Sequence, residues 1–237
     1  MIGALVLSGG DGTRLANIGI QKQYYKISGV PIIIRTLVAF QECIDIETIV
    51  IVAQPIWYRQ IGLWLDKHKI FKFSNFASAG HTRQHSIYNG LLKLEQYSIK
   101  HVIVHDAVRP FVTVNDIKSC INAAIGYDGA TPVLCINDTV YNSKDGRHID
   151  SLLNRDELFA GQTPEIYDYT LYLDANKNYL DKDHSYIHGS SEMAFKSGMS
   201  IRLYNGNENN FKITTASDLK YAEYLLKGSQ SESMGTT

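Results

Sequence analysis

The chain has 237 residues, 44% of them hydrophobic and 20% charged, with a formal net charge of −1 at pH 7. That length can bury a sizeable core, and the near-neutral balance excludes broad affinity for nucleic acid or membrane surfaces as an expectation. Cys43, Cys120 and Cys135 are too few and too scattered for a disulfide scaffold or a metal cluster, and neither a basic leader nor a membrane-length apolar run is present, so a soluble cytoplasmic protein is expected.

Ile2–Leu7 is an apolar, strand-like run that leads directly into the stretch LSGGDGTRLANIGIQKQY at residues 7–24. Pro31–Glu42 is expected to form a helix with proline in its first turn, where a missing N–H costs nothing. Thr48–Ala53 is apolar on both faces, as a central parallel strand requires. Thr82–Leu94 places Ile87, Leu91 and Leu94 on one helical face. A strand at His101–His105, a helix at Val114–Ala124 and a strand at Ala130–Ile136 follow. Asp138–Asn142 and His148–Leu152 then flank the turn signal Ser143–Gly146, which predicts a projecting hairpin. Helices are expected near Tyr167–Asn176 and Ser191–Gly198, then a strand at Met199–Tyr204 and a helix near Ala216–Leu226. The pattern predicts one α/β domain over residues 1–226 with a mainly parallel sheet. An arm is expected at about 138–164, and a disordered tail at 227–237.

Ligands of open α/β sheets bind beyond the carboxyl ends of the strands, so loops that follow strands carry the chemical information. The first such loop, Ser8–Arg14, lacks the GK[ST] of a Walker loop, and Leu15 stands where a dinucleotide fingerprint needs glycine. It remains a glycine-rich turn whose amides suit an anion, with Arg14 and Lys22 to neutralise it; a turn that only bends the chain is the plainer alternative. Next, AGHTRQHSIYNGL (Ala79–Leu91) sets Gly80, Arg83 and Ser86 at a helix N-terminus, a favourable place for anions or carbonyl oxygens. Its plainer reading is a helix capped by Thr82. The third, VHDAVRP (Val104–Pro110), offers Asp106 at a strand end, where one carboxylate can hold Mg²⁺ alongside substrate phosphates. Arg109 either clamps a second anion or forms a structural salt bridge with Asp106.

The order of these stretches is more specific than any one of them. GGDGTR…KQY, AGHTRQHSIYNGL, HDAVRP, the pair Asp138-Thr139, RDELFAGQTPEIY and NNFKITTASDL together resemble the CTP-dependent cytidylyltransferases that act on methylerythritol phosphate and ribitol 5-phosphate. The resemblance runs from Ile2 to about Leu226. It implies a Rossmann-like α/β nucleotidyltransferase, a homodimer clasped by the arm, and CMP transfer from CTP to a small phosphorylated acceptor with release of pyrophosphate. Carried onto this chain, Gly9, Gly10, Asp11, Gly12, Thr13 and Arg14 wrap the triphosphate, and Arg14, Lys22 and Lys212 act on the reacting phosphates. Gly80, His81 and Ser86 hold cytosine and ribose, with Ala107 beside the nucleotide. Asp106 is the Mg²⁺-associated aspartate. Arg109, Thr139 and Arg155 match acceptor-binding positions, the last two reaching in from a partner's arm.

The chain departs from the family pattern at three places. Gln21-Lys22-Gln23 replaces PKQ, and His81 stands where some relatives carry an acidic residue. HGSSEMA (His188–Ala194) replaces a TDD/TDE-type motif on the acceptor side, with His188 among the substrate-binding positions, which leaves a different polyol phosphate or a phosphonate open as acceptor. A nucleotide-binding pseudoenzyme or regulatory module would keep the fold without the chemistry. A dehydrogenase rests on the first turn alone and lacks the third glycine.

Overall fold

The computed structural model describes residues 1–10, 20–180, 187 and 189–233. Its first half comprises β1 (Ile2–Leu7), β2 (Lys26–Ile27), β3 (Val30–Pro31), α1 (Ile32–Glu42), β4 (Thr48–Ala53), α2 (Tyr58–Lys67), β5 (Phe73–Ser78), α3 (Arg83–Leu94) and β6 (His101–Asp106). The second half comprises α4 (Val114–Ala123), β7 (Gly129–Cys135), β8 (Tyr141–Asn142), β9 (Ser151–Leu152), β10 (Phe159–Gly161), β11 (Glu165–Asp168), α5 (Tyr169–Leu180), α6 (Ser190–Lys196), β12 (Ile201–Asn205) and α7 (Ala216–Ser233).

The central sheet is eight-stranded. β6, β1, β4 and β5 form its parallel half, with β1 between β6 and β4. β11 runs antiparallel between β6 and β7, and β12 pairs parallel with β7. β10 and β12 both meet β7 at Val133, while β11 and β12 both meet it at Gly129. A strand has only two edges, so β10 and β11 share one edge of β7 and β12 takes the other. The sheet is therefore mainly parallel with an antiparallel insertion.

Strand alternation sorts the core into two layers. Ala4, Val6, Ile49, Ile51, Ile103 and Ile166 face α1, α2 and α4, whereas Leu5, Val50, Val52, Val102, Val104 and Tyr167 face α3, α5 and α6. Helices on both faces bury every residue of β4, as its continuous apolar pattern requires. A third cluster joins Ile27 and Ile32 to Val108, Ile213, Leu219 and Ala222, and so packs α7 and its leading loop onto the segment after β6.

Several boundaries differ from those expected, three of them with a clear physical reason. Pro31 pairs with Lys26 in the β2–β3 ladder and serves as N-cap of α1, not as part of its first turn. The arm hairpin is shorter than the flanking segments suggested: only Tyr141–Leu152 and Asn142–Ser151 pair. Side chains shape the intervening loop instead, with Asp145 accepting from the His148 amide at 2.9 Å and Asp150 from the Lys144 amide at 2.6 Å. Finally, α7 continues to Ser233, so the tail expected to be disordered from 227 is helical that far; its Ser, Gln and Glu residues contain no proline to stop the helix. The periodicity reading did not assign α2, β5, β10, β11 or the β2–β3 hairpin, and Tyr167, expected at the start of a helix, lies in β11.

Candidate active site

Leu7 of β1 is level with Val52 of β4 on one side and Asp106 of β6 on the other. The chain leaves the sheet at the ends of these strands, and there a cavity of about 390 Å³ opens. Its lining includes Gly9, Gly10, Lys22, Gly80, His81, Arg83, Ser86, Asp106 and Lys212. Segments separated by more than 200 residues in sequence thus meet at one place, as strand-end loops of parallel sheets do.

Close packing sets the approach of the loops. A Cβ on Gly9 would stand 2.5 Å from the Ala79 Cβ, so only glycine lets the β1 loop lie against the loop after β5. Gly80 is pressed equally close to His85, where a side chain would collide. The buried amide of Gln23 donates to the carbonyls of Ser8 at 2.9 Å and Gly10 at 2.8 Å, pinning the start of the glycine-rich loop. Lys22 stands beside it at the head of a short 3-10 turn. Thr82 caps α3, accepting from the His85 amide at 3.1 Å, and the Gly80 amide donates to Ser86 Oγ at 3.0 Å. The capped-helix reading and a helix N-terminus at the cavity are therefore both realised.

Asp106 is the electrostatic centre. It is 5% exposed. Its Oδ1 accepts from Arg83 Nη1 at 2.7 Å, and its Oδ2 lies 3.0 Å from Lys212 Nζ and 3.3 Å from Arg109 Nε. Burial alone would raise the carboxyl pKa, but Arg83, Lys212 and Arg109 outweigh it and hold the group well below the usual carboxylate range. Burial opposes the charge of Arg83 too, and Asp106 and Glu165 reverse that effect.

A closed hydrogen-bond circuit supports this centre from beneath. Arg109 Nη1 donates to the Asn210 carbonyl at 3.0 Å, and Asn210 Nδ2 donates to the Thr163 carbonyl at 2.7 Å. Thr163 Oγ1 accepts from the Asp106 amide at 3.3 Å and lies 2.9 Å from His105 Nδ1. Burial pulls the His105 pKa down to about 3, so the ring is neutral near physiological pH and shares a single proton with the Thr163 hydroxyl across the Nδ1 contact. The Ile213 amide bonds to the Val108 carbonyl at 2.9 Å, which carries the Lys212 segment over the end of β6.

The residues singled out from sequence fall into three groups. Gly9, Gly10, Lys22, Gly80, His81, Ser86, Asp106 and Lys212 line the cavity. Ala107 is buried just behind it, its amide bonded to the Leu7 carbonyl at 3.0 Å, and Arg109 forms the salt bridge to Asp106 that its spacing left open. Thr139 and Arg155 are exposed on the arm and do not line this cavity; Arg155 donates to the Asn137 carbonyl at 2.8 Å. Asp11, Gly12, Thr13, Arg14 and His188 lie outside the described residues.

Sequence reading placed Arg83 at the α3 N-terminus beside Gly80 and Ser86 without its ion-pair partner, and assigned no role to Gln23 or Glu165. The available signal for Arg83 was its place in the first turn of a helix that follows a strand, three residues before Ser86. A larger cavity of about 640 Å³ is lined by α5 and α6 residues, including Leu171, Tyr179 and Met193, and not by strand ends. Among the described residues no group of three or more His, Cys, Asp or Glu side chains is placed to hold a metal, and no helix is long and apolar enough to cross a membrane.

Comparison with known proteins agrees with this geometry. The 2-C-methyl-D-erythritol 4-phosphate cytidylyltransferase (IspD) family matches residues 2–228. The enzyme of that name from Clostridium beijerinckii is 36% identical over 233 residues, covering 96% of this chain and 99% of the relative. The one from Geobacillus thermodenitrificans is 33% identical over 228 residues, covering 94% and 96%. Among solved structures, 4-diphosphocytidyl-2C-methyl-D-erythritol synthase from Anaerococcus prevotii superposes with a TM-score of 0.84 at 24% identity, covering 96% of each chain. The Thermus thermophilus 2-C-methyl-D-erythritol 4-phosphate cytidylyltransferase gives 0.77 at 24% identity, covering 96% of this chain and all of the other; both establish the Rossmann-like nucleotidyltransferase fold. With the strand-end cavity, the Asp106 cluster and sequence identity spanning nearly the whole chain, this protein belongs to the 2-C-methyl-D-erythritol 4-phosphate cytidylyltransferase family.

Proposed function

We propose that the protein transfers CMP from CTP to 2-C-methyl-D-erythritol 4-phosphate and releases pyrophosphate. The observation that carries the reading is the meeting of Lys22, Arg83 and Lys212 with the Asp106 carboxylate in a cavity roofed by glycine-rich backbone. An oxygen of the acceptor phosphate attacks the α-phosphorus of CTP, and the bond to the bridging oxygen breaks with its electron pair leaving on pyrophosphate. The attacking oxygen is ionised near neutral pH, so no general base is required. The difficulty is to bring two polyanions together and to stabilise charge moving onto the leaving group. Lys22 and Lys212 supply positive charge at that cavity, Gly9 and Gly10 allow close backbone approach, and Gly80 with Ser86 offers polar groups to the base and ribose.

The donor set fits a Mg²⁺ ion that arrives with the nucleotide: one hard carboxylate, Asp106, faces the cavity, and substrate phosphates would complete the shell. When bound, the ion would neutralise phosphate charge. Ion pairing already holds Asp106 ionised, the form that coordination needs.

The arm supports a homodimer. Tyr141, Ile149, Leu152, Leu153 and Phe159 are exposed there, a concentration of apolar side chains that suits a protein interface. Thr139 and Arg155 on the same arm would then serve a partner's acceptor site. Three unpaired cysteines agree with a reducing, cytoplasmic setting.

The test is pyrophosphate release from CTP and Mg²⁺ with 2-C-methyl-D-erythritol 4-phosphate, ribitol 5-phosphate and an aminoalkylphosphonate offered separately. Turnover of the first in preference to the others is expected. Turnover of none would overturn the reading in favour of a nucleotide-binding pseudoenzyme.

A further inference from the structure

The short turn that carries Lys22 also carries Gln23, which is 2% exposed and lines the strand-end cavity together with Ser8, Gly9 and Gly10. Its Nε2 faces three oxygens: the Gly10 carbonyl at 2.8 Å, the Ser8 carbonyl at 2.9 Å and Gln21 Oε1 at 3.3 Å. Three acceptors around one atom fix which way the amide points, because only its nitrogen can donate. Gln21 is held in turn, its Nε2 donating to Gln54 Oε1 at 3.2 Å just beyond β4. A row of side-chain amides thus runs from the end of β4 to the glycine-rich loop.

A loop that binds an anion must keep its carbonyl oxygens off the ligand and offer N–H groups instead. Across a trans peptide the N–H points opposite to the C=O. Drawing the Ser8 carbonyl onto Gln23 therefore turns the Gly9 N–H the other way, and the same nitrogen holds the Gly10 carbonyl. The rest of Ser8 is engaged as well: its amide donates to the Val52 carbonyl at 2.7 Å and its Oγ to the Tyr24 hydroxyl at 3.2 Å. Tyr24 also donates to the Ser8 carbonyl at 3.2 Å, but it packs against Trp57 outside the cavity lining. Among the described residues, Gln23 alone bridges the Ser8 and Gly10 carbonyls. We propose that Gln23 is a positioning residue for polyphosphate binding: its amide takes up these two carbonyls, so that the loop meets the anion with N–H groups and not with oxygens. The inference rests on the cytidylyltransferase reading and adds to it the residue that makes the glycine-rich loop receptive to phosphate.

The variant Gln23→Met keeps length and neutrality but cannot donate. CTP and inorganic pyrophosphate, titrated separately by calorimetry in Mg²⁺ buffer, should each bind roughly ten-fold more weakly, the scale of one lost hydrogen bond. Gln23→Glu, which sets oxygen in place of nitrogen at the same reach, should weaken both further. Tyr24→Phe is the control: it loses the contacts to Ser8 but none to Gly10, so Tm should fall while both affinities stay at wild-type values. A Gln23 that only stabilised the fold would lower Tm in the same way and leave the affinities unchanged. That outcome in both Gln23 variants, or an equal loss of affinity in Tyr24→Phe, would overturn the inference alone. Wild type binding neither probe would overturn the functional reading and the inference with it.

Discussion

The end of β6 and the arm are built in opposite ways. At β6, Asp106 is 5% exposed and tied to Arg83, Arg109 and Lys212, each from a different segment or turn. On the arm, Arg155 and Thr139 are exposed, and Leu152 is 66% exposed. The first region is organised within one chain before any substrate binds; the second, on the proposed reading, would act on a partner's site. Preorganisation by burial makes the β6 cluster sensitive to any lost charge, whereas the arm's contribution should depend on association.

The sharpest way to break this contrast is Asp106→Asn. It leaves Arg109 buried with half its partners gone, and breaking such a pair typically costs about 3 kcal/mol or more. Urea unfolding should show that loss, and cytidylyl transfer should fall below detection; retained stability would mean the cluster is not the electrostatic keystone described above. Next comes Lys212→Ala. Lys212 is 36% exposed on its side chain, so Tm should change little while kcat falls on the order of 100-fold, the scale for one charge-stabilising donor.

On the arm, Leu152→Asp should leave the fold intact and weaken self-association about 30-fold, the value of an interface hot spot. Analytical ultracentrifugation checks this, and activity should return at high protein concentration. Concentration-independent activity would detach the arm from catalysis.

The smallest effect is on pH dependence. A carboxyl held low by native ion pairs stabilises the fold above its ordinary pKa and loses that contribution as pH falls, so Asp106 makes the protein less stable below about pH 4. Glu165 has the opposite sign: burial raises its pKa, so its cost grows as pH rises from the ordinary carboxylate value towards the raised one and is constant above it. Thermal unfolding across pH should therefore show an acid limb that flattens in Asp106→Asn and, in Glu165→Gln, a gain that develops as pH rises above about 4.3.

Local rules made much of this legible in advance. The apolar run Thr48–Ala53 could only be a strand covered on both faces, and Thr82 marked the start of α3 by its capping chemistry. Spacing also brought Gly9, Gly80 and Asp106 forward, because strand-end loops must converge in a parallel sheet, whereas Lys212 entered only through the family resemblance. Other elements carried no such signature. Phe73–Ser78 mixes polar and aromatic residues at the sheet edge, and β2–β3 is too short for periodicity to register.

By itself, then, the sequence determined the α/β alternation, the loop chemistry and the family. Which charges neutralise which was decided only by tertiary structure. Arg83 precedes Asp106 by 23 residues, and Lys212 follows it by more than 100, yet both reach one carboxylate because β6, α3 and the loop before α7 are packed by separate core clusters. Glu165 shows the same limit: nothing in QTPE marks it as a core acid, and only the pairing of β11 with β6 buries it to 4% exposure. Ion pairing depends on distance and desolvation, and neither is a property of position along the chain.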